Sequence, residues 1–366
     1  MTTEGSTPFP SGVKCGSTAK YLTLLCVFGW IAAVYFNVGE RPRTPWKPPP
    51  PRMESFPVKV NNSLNGGHHK NATDTSRLAS IAQEKRIAVL KEFCRKNPDS
   101  FSRGFQSKKY LKNLIVIDKT KTIYCYIPKT GCTTTKLVMY NLQHDKNERN
   151  EDHKLGWIHQ QRFKFLNSYS EKDVHKRLST YNKLIVVRDP LERLASAWFD
   201  KFVYNPRRFS YIKRLQRELW QSNLTTTNRS VSRNGPGSVE ATSGDLPPVT
   251  FRDFIWSIVN RRYLNIHWEP FFSRCAPCQV QYDFIAHTDT LPEDLRLFFH
   301  RSGIVGKDGL LPKERPSRAK SRVGNIFVEV PTEDIRRIGE IYKPDFDMFG
   351  YSFDDDLALI ENERHG

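Results

Sequence analysis

With 366 residues, 57 Lys and Arg against 39 Asp and Glu, and a formal charge of +18, the chain is long enough for one large domain plus attachments. Such a basic surface draws polyanions, whether nucleic acid, acidic lipid or acidic polysaccharide. No run of six Lys and Arg and no zinc-finger or RNP-like string is present, which argues against nucleic acid as a partner.

Residues 1–20 lead into an uncharged stretch of 18 residues, Tyr21 to Val38 (YLTLLCVFGWIAAVYFNV), at the short end of what spans a bilayer core. It reads as a transmembrane signal-anchor helix. A cleaved signal peptide is the alternative, but the stretch exceeds a usual h-region and no small-x-small site follows it. Lys14 and Lys20 precede the span, while Arg41, Arg43, Lys47 and Arg52 follow it, so the charge balance does not set its orientation. The sequons at Asn61, Asn71, Asn223 and Asn228 all lie on the C-terminal side. They imply a lumenal, glycosylated C-terminal part and a cytoplasmic tail at 1–20.

From 39 to 75 the chain is a Pro-rich stem, including Pro48 to Pro51, with no apolar periodicity. Such a composition buries too little surface to offset its ordering entropy. A domain is expected over 76–358, with a tail at 359–366. It begins with a helix on Leu78, Ile81, Ala82, Ile87, Leu90 and Cys94 that ends before Asn97-Pro98.

Lys121 to Ile127 (KTIYCYI) reads as a strand that runs into Pro128-Lys129-Thr130-Gly131-Cys132-Thr133-Thr134, with a helix over Leu137 to Gln143. A strand, tight loop and helix in this order aim backbone N–H groups and a positive helix end at an anion. Gly131 admits close backbone approach, the threonines add hydroxyls, and Lys129 supplies positive charge. Gly131 is followed by Cys132 and not Lys, so the loop is no Walker A and a kinase or ATPase is disfavoured.

Lys183 to Val187 (KLIVV) repeats the design, broken by Arg188-Asp189-Pro190 ahead of a helix from Leu191 to about Tyr204. Arg188 and Ser196 are placed to face a second phosphate. Leu194, Ala197 and Trp198 would pack the helix, and Asp189 and Glu192 could instead pair with Arg193. Residues 222–248, rich in Ser, Thr, Asn and Gly, read as a surface insertion. Gln279 to Ala286 then reads as a strand, Thr290 and Glu293 as a capping box for a helix over Leu291 to Phe299, and Thr332 as the start of a helix burying Ile335, Ile338 and Tyr342.

Of seven cysteines, five follow the span: Cys94, Cys125, Cys132, Cys275 and Cys278. Five is odd, so one stays free or pairs between chains, and spacing does not reveal connectivity. Cys275-x-x-Cys278 is compatible with a redox or zinc pair, but no second such pair completes a zinc site, so structural disulfides are the plainer expectation. No metal is expected.

The strings YCYIPKTGCTTTK and VVRDPLERLASAWFDKF resemble the 5′-phosphosulfate and 3′-phosphate motifs of carbohydrate sulfotransferases, in particular the family of chondroitin and dermatan 4-O-sulfotransferases and the natural-killer-epitope glucuronyl 3-O-sulfotransferase. His267-Trp268, Cys275-Ala276-Pro277-Cys278, Tyr282-Asp283-Phe284, Leu291 to Asp294 and IYKPDFDMFGYS extend the resemblance over about residues 90 to 355. It implies an α/β, three-layer, P-loop-like domain with a central, mainly parallel sheet that binds 3′-phosphoadenylyl sulfate (PAPS) beyond the strands' carboxyl ends. Pro128 to Thr134 would hold the 5′-phosphosulfate, with Lys129 as key cation. Arg188, Asp189, Pro190, Leu191, Glu192, Arg193, Leu194, Ala195 and Ser196 would hold the 3′-phosphate. The loop's Thr130-Gly131 and Thr134-Thr135-Lys136 depart from the chondroitin branch toward uronosyl 2-O-sulfotransferases.

The function implied is a Golgi-membrane, single-pass type II enzyme acting on chondroitin-type glycans at GalNAc O-4. Uronosyl 2-O- or glucuronyl 3-O-transfer is the alternative, and a non-catalytic acidic-glycan binder is the alternative of another class. A homodimer is left open. In-line transfer needs a base for the acceptor hydroxyl, and a histidine is the economical choice. His159 is first by chain order, followed by His153 and then His267.

Overall fold

A computed structural model describes residues 72–98, 109–154, 156–205, 207–227, 249–313 and 319–365. The anticipated membrane span at 21–38, nearly all of the stem, Asn61, Asn71 and Asn228 lie outside the described residues. Among the described residues no helix is long and apolar enough to cross a membrane.

Five strands, β1 (Leu114–Ile117), β2 (Thr122–Cys125), β3 (Lys164–Phe165), β4 (Asn182–Val187) and β5 (Phe284–His287), form one sheet in the order β3-β1-β2-β4-β5. The helices are α1 (Ala72–Lys96), α2 (Cys132–His144), α3 (Glu171–Thr180), α4 (Pro190–Trp198), α5 (Arg208–Thr227), α6 (Phe251–Val259), α7 (Phe271–Cys275), α8 (Pro277–Val280), α9 (Leu291–Arg301), α10 (Ala319–Phe327), α11 (Thr332–Phe349) and α12 (Phe353–His365).

The expectation of a mainly parallel sheet is corrected to a mixed one. β2, β4 and β5 run parallel, whereas β1 pairs antiparallel with both β2 and β3. Only the short turn at Asp118–Thr120 and a left-handed Lys121 join β1 to β2, and so short a connection makes a hairpin and not a crossover.

Strand alternation sends Ile123, Cys125, Ile185, Val187 and Ile285 to one face, where Leu90 of α1, Phe271 of α7, Val280 of α8 and Phe349 of α11 cover them. Tyr124, Leu184, Val186, Phe284 and Ala286 point to the other face, onto Val138 and Met139 of α2 and Leu295 and Phe298 of α9. The three layers follow from both faces being apolar. A further core of Trp198, Phe254, Trp268, Phe327 and Tyr342 joins α4, α6, α10 and α11.

Buried side chains clamp these layers. Asp345 of α11 accepts from the backbone N–H groups of Phe271 and Phe272 at 2.6 and 3.0 Å, capping α7. Asp294 of α9 accepts from Arg86 of α1 at 2.7 Å and from the His287 N–H at 2.9 Å. Asp294 also takes the Thr290 hydroxyl at 2.7 Å, so the anticipated Thr290–Glu293 capping box does not form.

Two other boundaries move. The strand expected from Gln279 begins at Phe284, because Pro277 opens the short helix α8 through Val280. The polar stretch expected to be irregular from Ser222 remains helical to Thr227, and 228–248 lies outside the described residues. Asn223 falls on that helix.

Cys94 bonds Cys278 and Cys125 bonds Cys275, leaving Cys132 as a free thiol. The CxxC cysteines therefore each reach a distant partner and form neither a redox pair with each other nor a zinc site. Bridges with sequence separations of 184 and 150 residues remove much freedom from the unfolded chain. Replacing Cys125 and Cys275 together by Ser is expected to lower unfolding free energy by roughly 2–5 kcal/mol in urea titrations. An unchanged midpoint would count against that contribution.

Candidate active site

The carboxyl ends of β2, β4 and β5 each open into a turn, and two of these are the turns singled out in the sequence. After β2, Lys129 and Gly131 adopt left-handed backbone at φ 73 and 74. The left-handed backbone favours glycine at 131, and a Cβ there would also come within 3.3 Å of Leu291 Cδ2, a tight contact. No side chain caps the start of α2. The amides of Cys132, Thr133 and Thr134, residues that are all half-buried, are thus left without a side-chain cap at the positive end of the helix dipole.

Not every loop residue is free for a ligand. Pro128 and Thr130 are buried, and the Thr130 hydroxyl donates to the Ile127 carbonyl at 3.0 Å. The Thr135 hydroxyl and N–H both turn back to the Gly131 carbonyl. Lys136 is buried with its ammonium 4.0 Å from the centre of the Tyr126 ring.

In the second turn Asp189 caps α4, accepting from the Glu192 N–H at 3.0 Å. Leu191, Leu194 and Ala195 are core residues. Arg193 is buried and spends its donors on the carbonyls of Pro128, Glu269 and Ile266. Neither Asp189 nor Glu192 pairs with it, against the pairing weighed from sequence. Glu192 instead takes Arg188 Nε at 3.2 Å. From Leu191 to Trp198, Ser196 alone is not buried. Arg188 and Ser196, both half-buried, therefore remain as the partly accessible polar groups of this turn.

The two turns touch. Arg188 Nη1 donates to the Lys129 carbonyl at 3.4 Å, and Arg193 Nε to the Pro128 carbonyl at 3.0 Å. Burial pushes the Glu192 carboxyl up to about 7, opposed by Arg188 and aided by Asp289 and Asp189. This upward push toward the neutral form lowers the like-charge cost of bringing a second anion to Arg188.

Past α4 the helix widens into a π-helix, Phe199–Tyr204, which no 3.6-residue period anticipates. This segment aims Asp200 at Lys129 Nζ, at 2.9 Å, with Lys201 Nζ at 3.1 Å from the same carboxylate. Burial pulls the Lys129 ammonium below its ordinary range and Asp200 opposes the pull. Burial alone would raise Asp200, but its bonds and attraction to Lys129 and Lys201 outweigh that and hold it below the carboxylate range. Asp200 and Lys201 were missed in the sequence because they continue an ordinary-looking helix.

His159 sits on a 3-10 turn, Trp157–His159, held over α2 by Tyr140 packed edge-on to Trp157. Its Nε2 is 2.9 Å from the Thr133 hydroxyl, at the loop itself. Burial, then the charges of Lys136, Lys201 and Lys129, lower the His159 pKa from its ordinary 6.5, with Asp200 partly opposing. His267 lies on the Lys201 side, paired with Asn265 at 2.6 Å and pushed by burial and Lys201 to about 3. His153 stacks on Trp157 and pairs with Glu148 at 2.8 Å, with no contact to the loop. The third turn, after β5, adds His287 Nε2 and Thr288 Oγ1, both buried without a hydrogen-bond partner among the described residues. Among the described residues no group of His, Cys, Asp and Glu is arranged to hold a metal ion.

Comparison with known proteins agrees with this geometry. The profile of the sulfotransferase family matches residues 112–352. Carbohydrate sulfotransferase 10 of Xenopus laevis is 30% identical over 290 residues, covering 74% of this chain and 76% of that protein. The Homo sapiens protein of the same name is 29% identical over 309 residues, 79% of this chain and 81% of its own. Carbohydrate sulfotransferase 11 of Rattus norvegicus is 29% identical over 302 residues, 78% and 80% respectively. No solved structure matches the chain.

Proposed function

The chain belongs to the sulfotransferase family, and on that premise we propose that it moves a sulfuryl group from PAPS to a hydroxyl of an acidic glycan, the GalNAc 4-hydroxyl of chondroitin in the first instance. The observation that carries the reading is the direct contact between the two anion-seeking turns, through Arg188 to Lys129 and Arg193 to Pro128. One cleft then offers two separated cationic sites, as a nucleotide phosphorylated at both ends demands.

The residues fit such a donor. The uncapped amides at 132–134 and the desolvated Lys129 ammonium suit a phosphosulfate, and Arg188 with Ser196 suits a second phosphate. Bound PAPS supplies an activated sulfuryl group on a phosphate leaving group. Lys129 neutralises the charge that develops on that phosphate. His159, whose pKa is held below its ordinary value, takes the proton of the attacking acceptor hydroxyl at the ring nitrogen that the Thr133 hydroxyl does not occupy, while Thr133 orients the ring through Nε2.

Asp200 competes with the donor for Lys129. Asp200→Asn is expected to tighten binding of adenosine 3′,5′-bisphosphate by roughly two- to fivefold, the scale of a part-exposed ion pair. Weaker binding in calorimetry would give the carboxylate a supporting role instead.

A Golgi lumenal setting behind a type II anchor accords with the uncharged stretch at 21–38 and with two disulfides, which persist in oxidising compartments. Uronosyl 2-O-transfer is the second reading, favoured by Thr130-Gly131 and Thr134-Thr135-Lys136 in the loop. The deciding experiment incubates the soluble domain with labelled PAPS and desulfated chondroitin, dermatan, heparan and terminal-glucuronyl acceptors, followed by disaccharide analysis. Label at GalNAc O-4 is expected, and label on a uronic acid would select the second reading. No transfer to any acceptor, with no thermal stabilisation by adenosine 3′,5′-bisphosphate, would leave a glycan-binding protein.

A further inference from the structure

Charge on the described surface is sorted by element. α12 opens on Asp354, Asp355 and Asp356. Arg207 just before α5, the N-terminal half of α5 and the turn after α6 instead present six cations to solvent, the others being Lys213, Arg214, Arg217, Arg261 and Arg262. None of these six pairs with a carboxylate among the described residues. Lys213, Arg214 and Arg217 stand as like charges at i,i+3 and i,i+4, an arrangement that weakens a merely solvated helix, and Glu218, four residues after Arg214, is the acidic residue of α5 set against them.

Apolar groups are interleaved with these cations. Tyr204, Phe209, Leu264 and Ile266 are exposed at 72%, 61%, 71% and 46%. The Arg208 guanidinium lies 4.9 Å from the centre of the Phe209 ring. Guanidinium groups beside flat apolar faces suit a polymer that alternates acidic groups with the C–H faces of sugar rings.

This surface is continuous with the cleft. Arg214 lies 4.7 Å from the Tyr263 ring centre, and Tyr211 of α5 lies 5.7 Å from Lys201 Nζ and 6.3 Å from the His267 ring. Arg193 bonds both the Ile266 carbonyl and the Pro128 carbonyl of the donor loop.

We infer that the exposed face of α5 and the 261–266 turn hold the non-reacting length of an acidic polysaccharide acceptor and feed it toward the Lys129–Asp200–Lys201 cluster. The inference rests on the acceptor class proposed above, but its binding test needs no catalysis. Desulfated chondroitin polymer is titrated against the donor-free protein and against Arg214→Glu/Arg217→Glu/Arg261→Glu/Arg262→Glu. The control is Lys91→Glu/Lys112→Glu/Arg296→Glu/Arg336→Glu, which reverses the same number of exposed charges elsewhere. The milder Arg214→Gln/Arg217→Gln serves if the reversed variant fails to fold.

Reversal on α5 and the turn is expected to raise the polymer Kd on the order of tenfold or more and to flatten its salt dependence, with the control near wild type. The KM for polymer should rise in parallel, while the KM for a short oligosaccharide and the affinity for adenosine 3′,5′-bisphosphate stay put. No loss of binding, an equal loss in the control, or binding of anionic lipid vesicles in place of the polymer overturns the inference. Loss of polymer binding in a protein that transfers sulfate to no acceptor supports this surface and removes the catalytic reading alone.

Discussion

Replacement of His159 by Ala is expected to slow turnover by about two to four orders of magnitude, the range of general base catalysis. Binding of adenosine 3′,5′-bisphosphate should be nearly unchanged, because the imidazole reaches only the Thr133 hydroxyl and no cation of the donor loop. The same geometry fixes a pH dependence. A histidine acting as the proposed base must be neutral, and burial with Lys136, Lys201 and Lys129 nearby disfavours the charged ring. Activity should therefore be full at neutral pH and fall only as acidification passes through the lowered pKa, below histidine's ordinary 6.5. Unaltered turnover in the variant, or an acid limb at or above that value, would transfer the role to another group. His267, pushed to about 3 and held by Asn265, would be the next to test.

Lys129→Ala should cost about two to three orders of magnitude in kcat/KM, the scale of losing one preorganised donor to a developing oxyanion. The variant should still fold. Asp200 keeps Lys201 at 3.1 Å, and the exchanged pair is only part-buried, so thermal unfolding should shift by no more than about 1 kcal/mol in stability. Rates measured beside melting curves separate the two effects. Arg188→Ala is the companion, weakening nucleotide binding while exposing the second turn's dependence on its guanidinium. Full activity in both variants would overturn the assignment of the two turns.

What could be read in advance was local. β2 and β4 are dense in β-branched and aromatic residues and end on Pro128 and on Asp189-Pro190, so each strand, turn and helix announces itself within a dozen residues. The convergence of the turns could be anticipated only from the ligand they imply, since the Arg188–Lys129 contact joins positions 59 apart. Three features had no local signal. β1 is a four-residue strand whose antiparallel pairing depends on a turn closed by a left-handed Lys121. The partners of the cysteines are set by tertiary packing. The π-helix departs from the 3.6 period for less than two turns, which is enough to swing Asp200 and Lys201 toward Lys129 and too little to alter a hydrophobic pattern. Thr290 likewise carries the composition of a cap, but the buried Asp294 claims its hydroxyl.

The nested disulfides give the domain a covalent load path. Tension applied at the N-terminal end of α1 passes through Cys94 to Cys278, then along three residues to Cys275, and from there into Cys125 at the end of β2. Cys125 lies three positions before Pro128, so a mechanical pull on the leading helix would arrive at the base of the donor loop by bonded atoms throughout. Reduction would remove that shortcut and leave the longer main-chain run from Cys94 to Cys125, with the packing around it, to carry the strain.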